Sequence, residues 1–183
     1  IVSAESEEIA EVAQKYGAEV PFLRDPRLAD DYSTMEQVAL DHLKREAAQQ
    51  DLPPVGGVMC NTLALRTVED IRQAWSLFCD VKADFLVTVR ALERSPYAIL
   101  LKEKNHVVPI IGREKMRTPF KGHFFRNIGG LYLFKINKFL DQNTFFGDNL
   151  IAYEMPNERC VDIDTEADLI MARALASHLK LFS

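Results

Sequence analysis

The run Phe85-Leu86-Val87-Thr88-Val89 does most to limit what this chain can fold into. It is almost wholly apolar, rich in branched side chains and without a polar face, so it reads as a central strand buried on both sides. Such a strand needs helices to cover it, and the preceding segments supply them. Residues 6–16 set Ile9, Val12, Ala13 and Tyr16 on one stripe and stop at Gly17. A short extended piece spans 18–23. Residues 34–50 predict a second helix with Met35, Val38, Ala39 and Leu43 on its apolar side, halted by Asp51-Leu52-Pro53-Pro54. Residues 55–60 suit a buried strand, although Gly56-Gly57 weaken it. Thr67 with Asp70 opens a third helix, predicted to turn Ile71, Ala74, Trp75 and Phe78 inward. This alternation predicts an α/β fold of three layers, a mostly parallel sheet with helices on both faces.

The pattern changes after Leu92. Residues 95–111 read as two short strands with a turn near Glu103-Lys104-Asn105. Residues 112–122 form a basic stretch with Arg113, Lys115, Arg117 and Lys121 and no clear period, the kind of loop that is either solvated or carries binding groups. Further strands are expected at 131–134, after Gly129-Gly130, and at 149–154. No repeat or composition shift divides the chain, so residues 1–183 are read as one domain.

Charge and cysteine usage remove several function classes. A net charge of −5 offers no basic footprint for nucleic acid. No apolar run reaches membrane-spanning length, and nothing resembles a signal peptide. Cys60, Cys79 and Cys160 are odd in number and far apart, and His42, His106, His123 and His178 are scattered. Neither set has zinc spacing, and the cysteines suit a reducing cytoplasm. Cys60 has no evident histidine partner and reads as an inert thiol.

The chemistry concentrates near the end of the chain, at Val161-Asp162-Ile163-Asp164-Thr165-Glu166-Ala167-Asp168. If 161–164 are extended, Asp162 and Asp164 share a face. Two carboxylates at a strand end suit Mg²⁺, which is typically held by one or two protein carboxylates together with substrate phosphates. A helix cap plus a solvated carboxylate would produce the same letters. Thr165 and Asp168 read as the capping pair of the last helix.

Several segments, in order, resemble the acylneuraminate cytidylyltransferases, also called CMP-sialic acid synthetases. They begin with Val2-Ser3-Ala4-Glu5-Ser6-Glu7-Glu8-Ile9 and Tyr16-Gly17-Ala18-Glu19-Val20. Phe22-Leu23-Arg24-Asp25 and Leu28-Ala29-Asp30-Asp31 follow, then Thr62, Leu65 and Arg66 within the family's Gln-Pro-Thr-Ser-Pro-Leu-Arg pattern. Ser95-Pro96-Tyr97, Gly129 with Tyr132, Phe145-Phe146-Gly147 and Tyr153-Glu154-Met155-Pro156 lead into the acidic segment. The resemblance implies a Rossmann-like nucleotidyltransferase that joins CTP to a nine-carbon acidic sugar, releasing pyrophosphate with Mg²⁺ as cofactor. It implies that Asp162 and Asp164 hold the metal, that Arg24 contacts the nucleotide, and that Arg117 meets the sugar carboxylate. Phe145 and Phe146 would pack against the sugar's acyl group, and Tyr132 would line the same site. It further implies a homodimer paired through a small insertion at about 93–130, with Ile110, Ile111, Phe120, Phe124 and Phe125 available for contact.

The chain departs from the family pattern at several contacts. Cys60 stands at the glutamine of the Gln-Pro-Thr-Ser-Pro segment, which places it against substrate, and Asn61, Leu63 and Ala64 replace its neighbours. Ile128-Gly129 replaces an Asn-Gly pair. Met35 takes the place of a nucleotide-loop serine, leaving Ser33 and Thr34 beside it, and Thr34 is the candidate contact. The family's glycine- and lysine-bearing phosphate loop and first strand are expected before Ile1. A non-catalytic relative that keeps the fold as a binding or dimeric assembly module is the alternative. A haloacid-dehalogenase-type phosphatase is excluded, because Thr165 follows Asp164 directly and one helix remains after it.

Overall fold

The structure, a computed structural model, describes residues 1–92, 96, 99–104, 106–110 and 124–181. Helix α1 (Glu7–Lys15) starts where Ser6 Oγ accepts from the Ile9 amide at 3.3 Å. Helices α2 (Met35–Ala47) and α3 (Val68–Asp80) each open on a complete capping box, Thr34 with Gln37 and Thr67 with Asp70. Helix α4 (Ile136–Gln142) was not expected from sequence. It has no side-chain cap and is held by burial of Ile136 and Phe139. Helix α5 (Glu166–Leu179) opens on the predicted Thr165/Asp168 box.

Among the described residues six strands accompany these helices: β1 (Val55–Val58), β2 (Phe85–Ala91), β3 (Leu100–Glu103), β4 (His106–Pro109), β5 (Phe125–Lys135) and β6 (Leu150–Glu154). β3 and β4 form the expected hairpin, with Lys104 in the left-handed region at φ 56° in its turn. The expectation of a mostly parallel sheet is corrected. The main sheet has the order β1-β5-β2-β6, and β5 is antiparallel to both β1 and β2, so one of the three ladders, β2 with β6, is parallel. The cause is topological. β1, α3 and β2 make a crossover that leaves one strand's width open, and the chain returns after β2 to fill that space in the opposite direction. β1, β2 and β6 still point the same way.

Side-chain alternation divides the core between the two faces of the sheet. Phe85, Val87, Val89, Tyr132 and Phe134 pack with Ala39 of α2, Phe139 of α4 and Phe145. Leu86, Leu131 and Leu133 pack on the other face with Ala74 and Phe78 of α3. The three-layer arrangement is therefore present. Gly56 in β1 is required there, because a Cβ would lie 2.7 Å from the Phe134 ring.

Two predicted stripes are misplaced. Val12 and Tyr16 are 55% and 83% exposed, Ile9 is exposed as well, and Ala10 is the residue α1 buries. Trp75 lies outside the contact face of α3, exposed and stacked on Phe78 with ring centroids 6.0 Å apart. The acidic segment is not part of a strand either: β6 stops at Glu154, and a single 3₁₀ turn, Asn157–Arg159, comes before it. Among the described residues, no helix is long and apolar enough to cross a membrane. Ser95, Tyr97, Ile111, Phe120, His123 and the basic stretch with Arg113, Lys115, Arg117 and Lys121 lie outside the described residues.

Candidate active site

Ligand sites in open α/β sheets favour the carboxyl ends of the parallel strands. Here Cys60 follows β1, Arg90 lies one residue before the end of β2, and the acidic segment follows β6. The first half of β5 comes down between them. Its pairing with β2 jumps from Val87↔Tyr132 to Val89↔Asn127, so residues 128–131 bulge out of register. Gly129 takes φ 68° in this bulge, and a Cβ on Gly130 would sit 2.5 Å from Leu63 Cδ2 and 2.9 Å from Thr88 Oγ1. Both glycines are therefore needed for close backbone approach. The bulge is secured by Thr88 Oγ1, which accepts from the Leu131 amide at 2.8 Å.

Arg66 fastens the loop after β1 to this bulge. One of its terminal nitrogens donates to Gly130 O at 2.5 Å and Cys60 O at 3.3 Å. The Cys60 amide donates to Gly129 O at 3.3 Å, and its Sγ lies 3.4 Å from Met35 Sδ at the start of α2. Thr34 is one residue away, engaged as the α2 cap. Cys60 is half-buried, and burial pushes its thiol up, with the charges of Asp162 and Asp164 adding to that and contact with Thr62 opposing it. The thiol is therefore protonated at neutral pH and unsuited to nucleophilic work. With iodoacetamide at pH 7, exposed Cys79 should react first, Cys60 more slowly, and buried Cys160, pushed up to about 11 mainly by burial, last. Peptide mass spectrometry of timed samples reads the order, and Cys60 outpacing Cys79 would overturn its assignment as an inert thiol.

Asp162 and Asp164 are both exposed, while Val161 and Ile163 are half-buried between and beside them. The Ile163 amide donates to Thr62 O at 3.1 Å, which lays the segment along the loop that carries Cys60. The alternation expected of an extended segment is thus present without a strand. Neither aspartate side chain caps α5: Thr165 and Asp168 do so, and the Asp164 amide donates to Asp168 Oδ2 at 3.3 Å. Exposed carboxylates are the hard oxygen donors Mg²⁺ takes, and two of them would leave most of an octahedral shell for phosphate and water. No group of three or more His, Cys, Asp or Glu side chains that could hold a metal occurs among the described residues.

Tyr132 is buried, stacks on Phe145 at 4.7 Å and meets Phe146 edge-on at 6.2 Å. Its hydroxyl accepts from Asn127 Nδ2 at 2.9 Å. Asn127 was not foreseen as a site residue. It lies two positions before Gly129, its Oδ1 accepting from that amide at 3.3 Å, and nothing in its sequence neighbourhood marks it. Phe145 is 1% exposed and Phe146 49%, so the pair divides between the core and the surface. Arg24 is engaged elsewhere. It is ion-paired with Glu5, and its backbone amide donates to Ala4 O at 2.7 Å.

The geometry therefore gathers Cys60, Tyr132, Phe146, Asp162 and Asp164 around one sheet end, with Thr34 at its border. No protein-family model matches the sequence. Individual proteins do. The chain is 30% identical over 201 residues to the CMP-N,N'-diacetyllegionaminic acid synthase of Campylobacter jejuni subsp. jejuni serotype O:2, covering 97% of this chain and 76% of that protein. It is 28% identical over 177 residues to the pseudaminic acid cytidylyltransferase of the same organism, covering 96% and 76%. It is also 25% identical over 172 residues to the N-acylneuraminate cytidylyltransferase of Streptococcus agalactiae serotype III, covering 92% of this chain and 40% of that one. By this likeness the chain belongs to the acylneuraminate cytidylyltransferase, or CMP-sialic acid synthetase, family.

Proposed function

We infer that this protein transfers the cytidylyl group of CTP to a nine-carbon acidic sugar related to sialic acid. The observation that carries this is likeness to named cytidylyltransferases and a CMP-sugar synthase along nearly the whole chain. In the reaction, the sugar's anomeric oxygen bonds to the α-phosphorus, the α–β phosphoanhydride breaks, and pyrophosphate leaves with its electron pair. The hydroxyl proton passes to solvent. Such chemistry depends mainly on positioning and charge. Asp162 and Asp164 would hold Mg²⁺, which when bound supplies neutralisation of the phosphate charge. Tyr132 and Phe146 offer an apolar wall for the sugar, and Asn127 a polar group beside it. Arg24 and Thr34 are the proposed nucleotide contacts, and Arg117 the proposed carboxylate contact. Free cysteines and the demand for CTP suit the cytoplasm.

The test is pyrophosphate release by the full-length protein from CTP with Mg²⁺ and a panel of nine-carbon acidic sugars. Turnover with at least one sugar and none without sugar is expected. Sugar or CTP binding without turnover would favour a non-catalytic relative.

A two-fold dimer is proposed on the β3–β4 hairpin. Leu100, Leu101, Val107 and Ile110 are each at least 47% exposed there, and Phe125 at the start of β5 is 45% exposed, an unusual amount of apolar surface for a monomer. Sedimentation at micromolar concentration should give twice the monomer mass, and a single monomeric species would count against the assignment.

A further inference from the structure

Two capping boxes in this chain provide an internal comparison. In both, a Thr amide and hydroxyl donate to one oxygen of an Asp three residues on, at 2.8 and 2.7 Å. Asp168 does this half-exposed at the start of α5, so capping by itself requires no burial. Asp70, at the start of α3, is 2% exposed and grips Arg159 as well: Nε donates to Oδ2 at 3.0 Å and Nη2 to Oδ1 at 2.5 Å. A buried carboxylate is costly unless it is paired, and a two-point guanidinium contact fixes direction as well as charge. The second partner is surplus to the cap.

What that partner holds is the approach to the acidic segment. Arg159 ends the 3₁₀ turn after β6, and Cys160, buried next to it, leads directly to Val161 and Asp162. The next tie is the Ile163 amide to Thr62 O. Thr62 lies in the loop between β1 and α3 and Asp70 in the first turn of α3, so this loop and the helix start that follows it grip the segment on both sides of Asp162. We propose that Asp70, through Arg159, is a positioning residue that sets the Asp162–Asp164 pair in register with the loop carrying Cys60. This rests on the nucleotidyl-transfer reading above. Burial alone would raise the Asp70 carboxyl, but the bonds from Arg159 and Thr67 outweigh it and hold it below its usual value, so the clamp is charged throughout the neutral range.

Groups that orient metal-binding side chains typically change metal affinity about 10–100-fold when altered. In the full-length protein, Asp70→Asn and Arg159→Lys should each weaken Mn²⁺ binding in the presence of CTP by about tenfold, read from the free-Mn²⁺ electron paramagnetic resonance signal. The Ile163 amide should exchange with deuterium faster in both. Turnover should fall at low Mg²⁺ and recover at high Mg²⁺, with the CTP KM at saturating metal unchanged. Asp84→Asn, which breaks an ion pair with Lys135 at the far end of β2, is the comparator for general loss of stability and should move none of these readouts. Arg159→Lys keeps the charge and loses the fork, so it carries the test if Asp70→Asn does not fold. Mn²⁺ affinity and Ile163 exchange within twofold of wild type would overturn the proposal, whatever the melting temperature. Failure of the wild type to release pyrophosphate would instead defeat the functional reading, and the exchange experiment would still decide whether the clamp holds the segment.

Discussion

Asparagine at both Asp162 and Asp164 is expected to reduce pyrophosphate release from CTP by roughly 10³-fold or more, with little change in melting temperature. The two parts of that expectation have separate causes. Both side chains are exposed, and the α5 cap uses Thr165 and Asp168, so the substitution removes no buried contact and no cap. Asparagine also matches aspartate in shape. What is lost is two negative charges at the place where phosphate charge must be balanced, and losing a single preorganised charge-stabilising group commonly costs about 10²–10³ in rate. Single variants should be slower by at least about 10²-fold, with the deficit appearing in kcat at saturating CTP. Rate against metal concentration for each variant, with denaturation curves alongside, is the required measurement. Wild-type turnover in the double variant would leave both aspartates as solvated carboxylates with no metal role.

How much of this was legible in the sequence depends on the range of the interaction involved. The buried run at β2 and the capping pairs at Thr67 and Thr165 are local signals, and they were read correctly because a cap or a strand face is decided within a few residues. Strand direction is not local. β5 carries the same apolar run, Leu131 to Phe134, whichever way it runs, and its antiparallel placement follows from where the chain goes after β2. The stripe on α1 failed for a related reason: periodicity marks which side chains could be covered, while coverage itself depends on what packs there. The Asp70–Arg159 clamp joins positions 89 apart and leaves no periodic trace, although Asp70 was recognised as half of a cap. The family resemblance supplied what local pattern could not, because order and spacing along the chain reflect tertiary arrangement.

Phe145 and Phe146 should separate stability from sugar recognition when each is replaced by alanine. They are neighbours on a non-helical stretch, so one facing inward turns the other outward. Phe145 is packed by Tyr132 at 4.7 Å, Phe139 at 5.1 Å and Phe134 at 5.4 Å, within the core formed with α2 and α4. Its removal opens a cavity among aromatic rings that cannot readily collapse, and about 3–5 kcal/mol of stability should be lost. Phe146 has one edge-on aromatic contact, with Tyr132 at 6.2 Å, and leaves about half of its surface to solvent. Its removal should cost less than about 1 kcal/mol. The loss should instead fall on the sugar, raising its KM several-fold while the CTP KM stays near the wild-type value, because the exposed ring lies against Tyr132, the other half of the proposed sugar wall. Chemical denaturation of both variants and separate titration of the two substrates with the Phe146→Ala protein make the comparison. Equal increases in both KM values, together with a lower melting temperature for Phe146→Ala, would assign that ring to packing as well and leave Tyr132 and Asn127 as the residues to test for sugar selection.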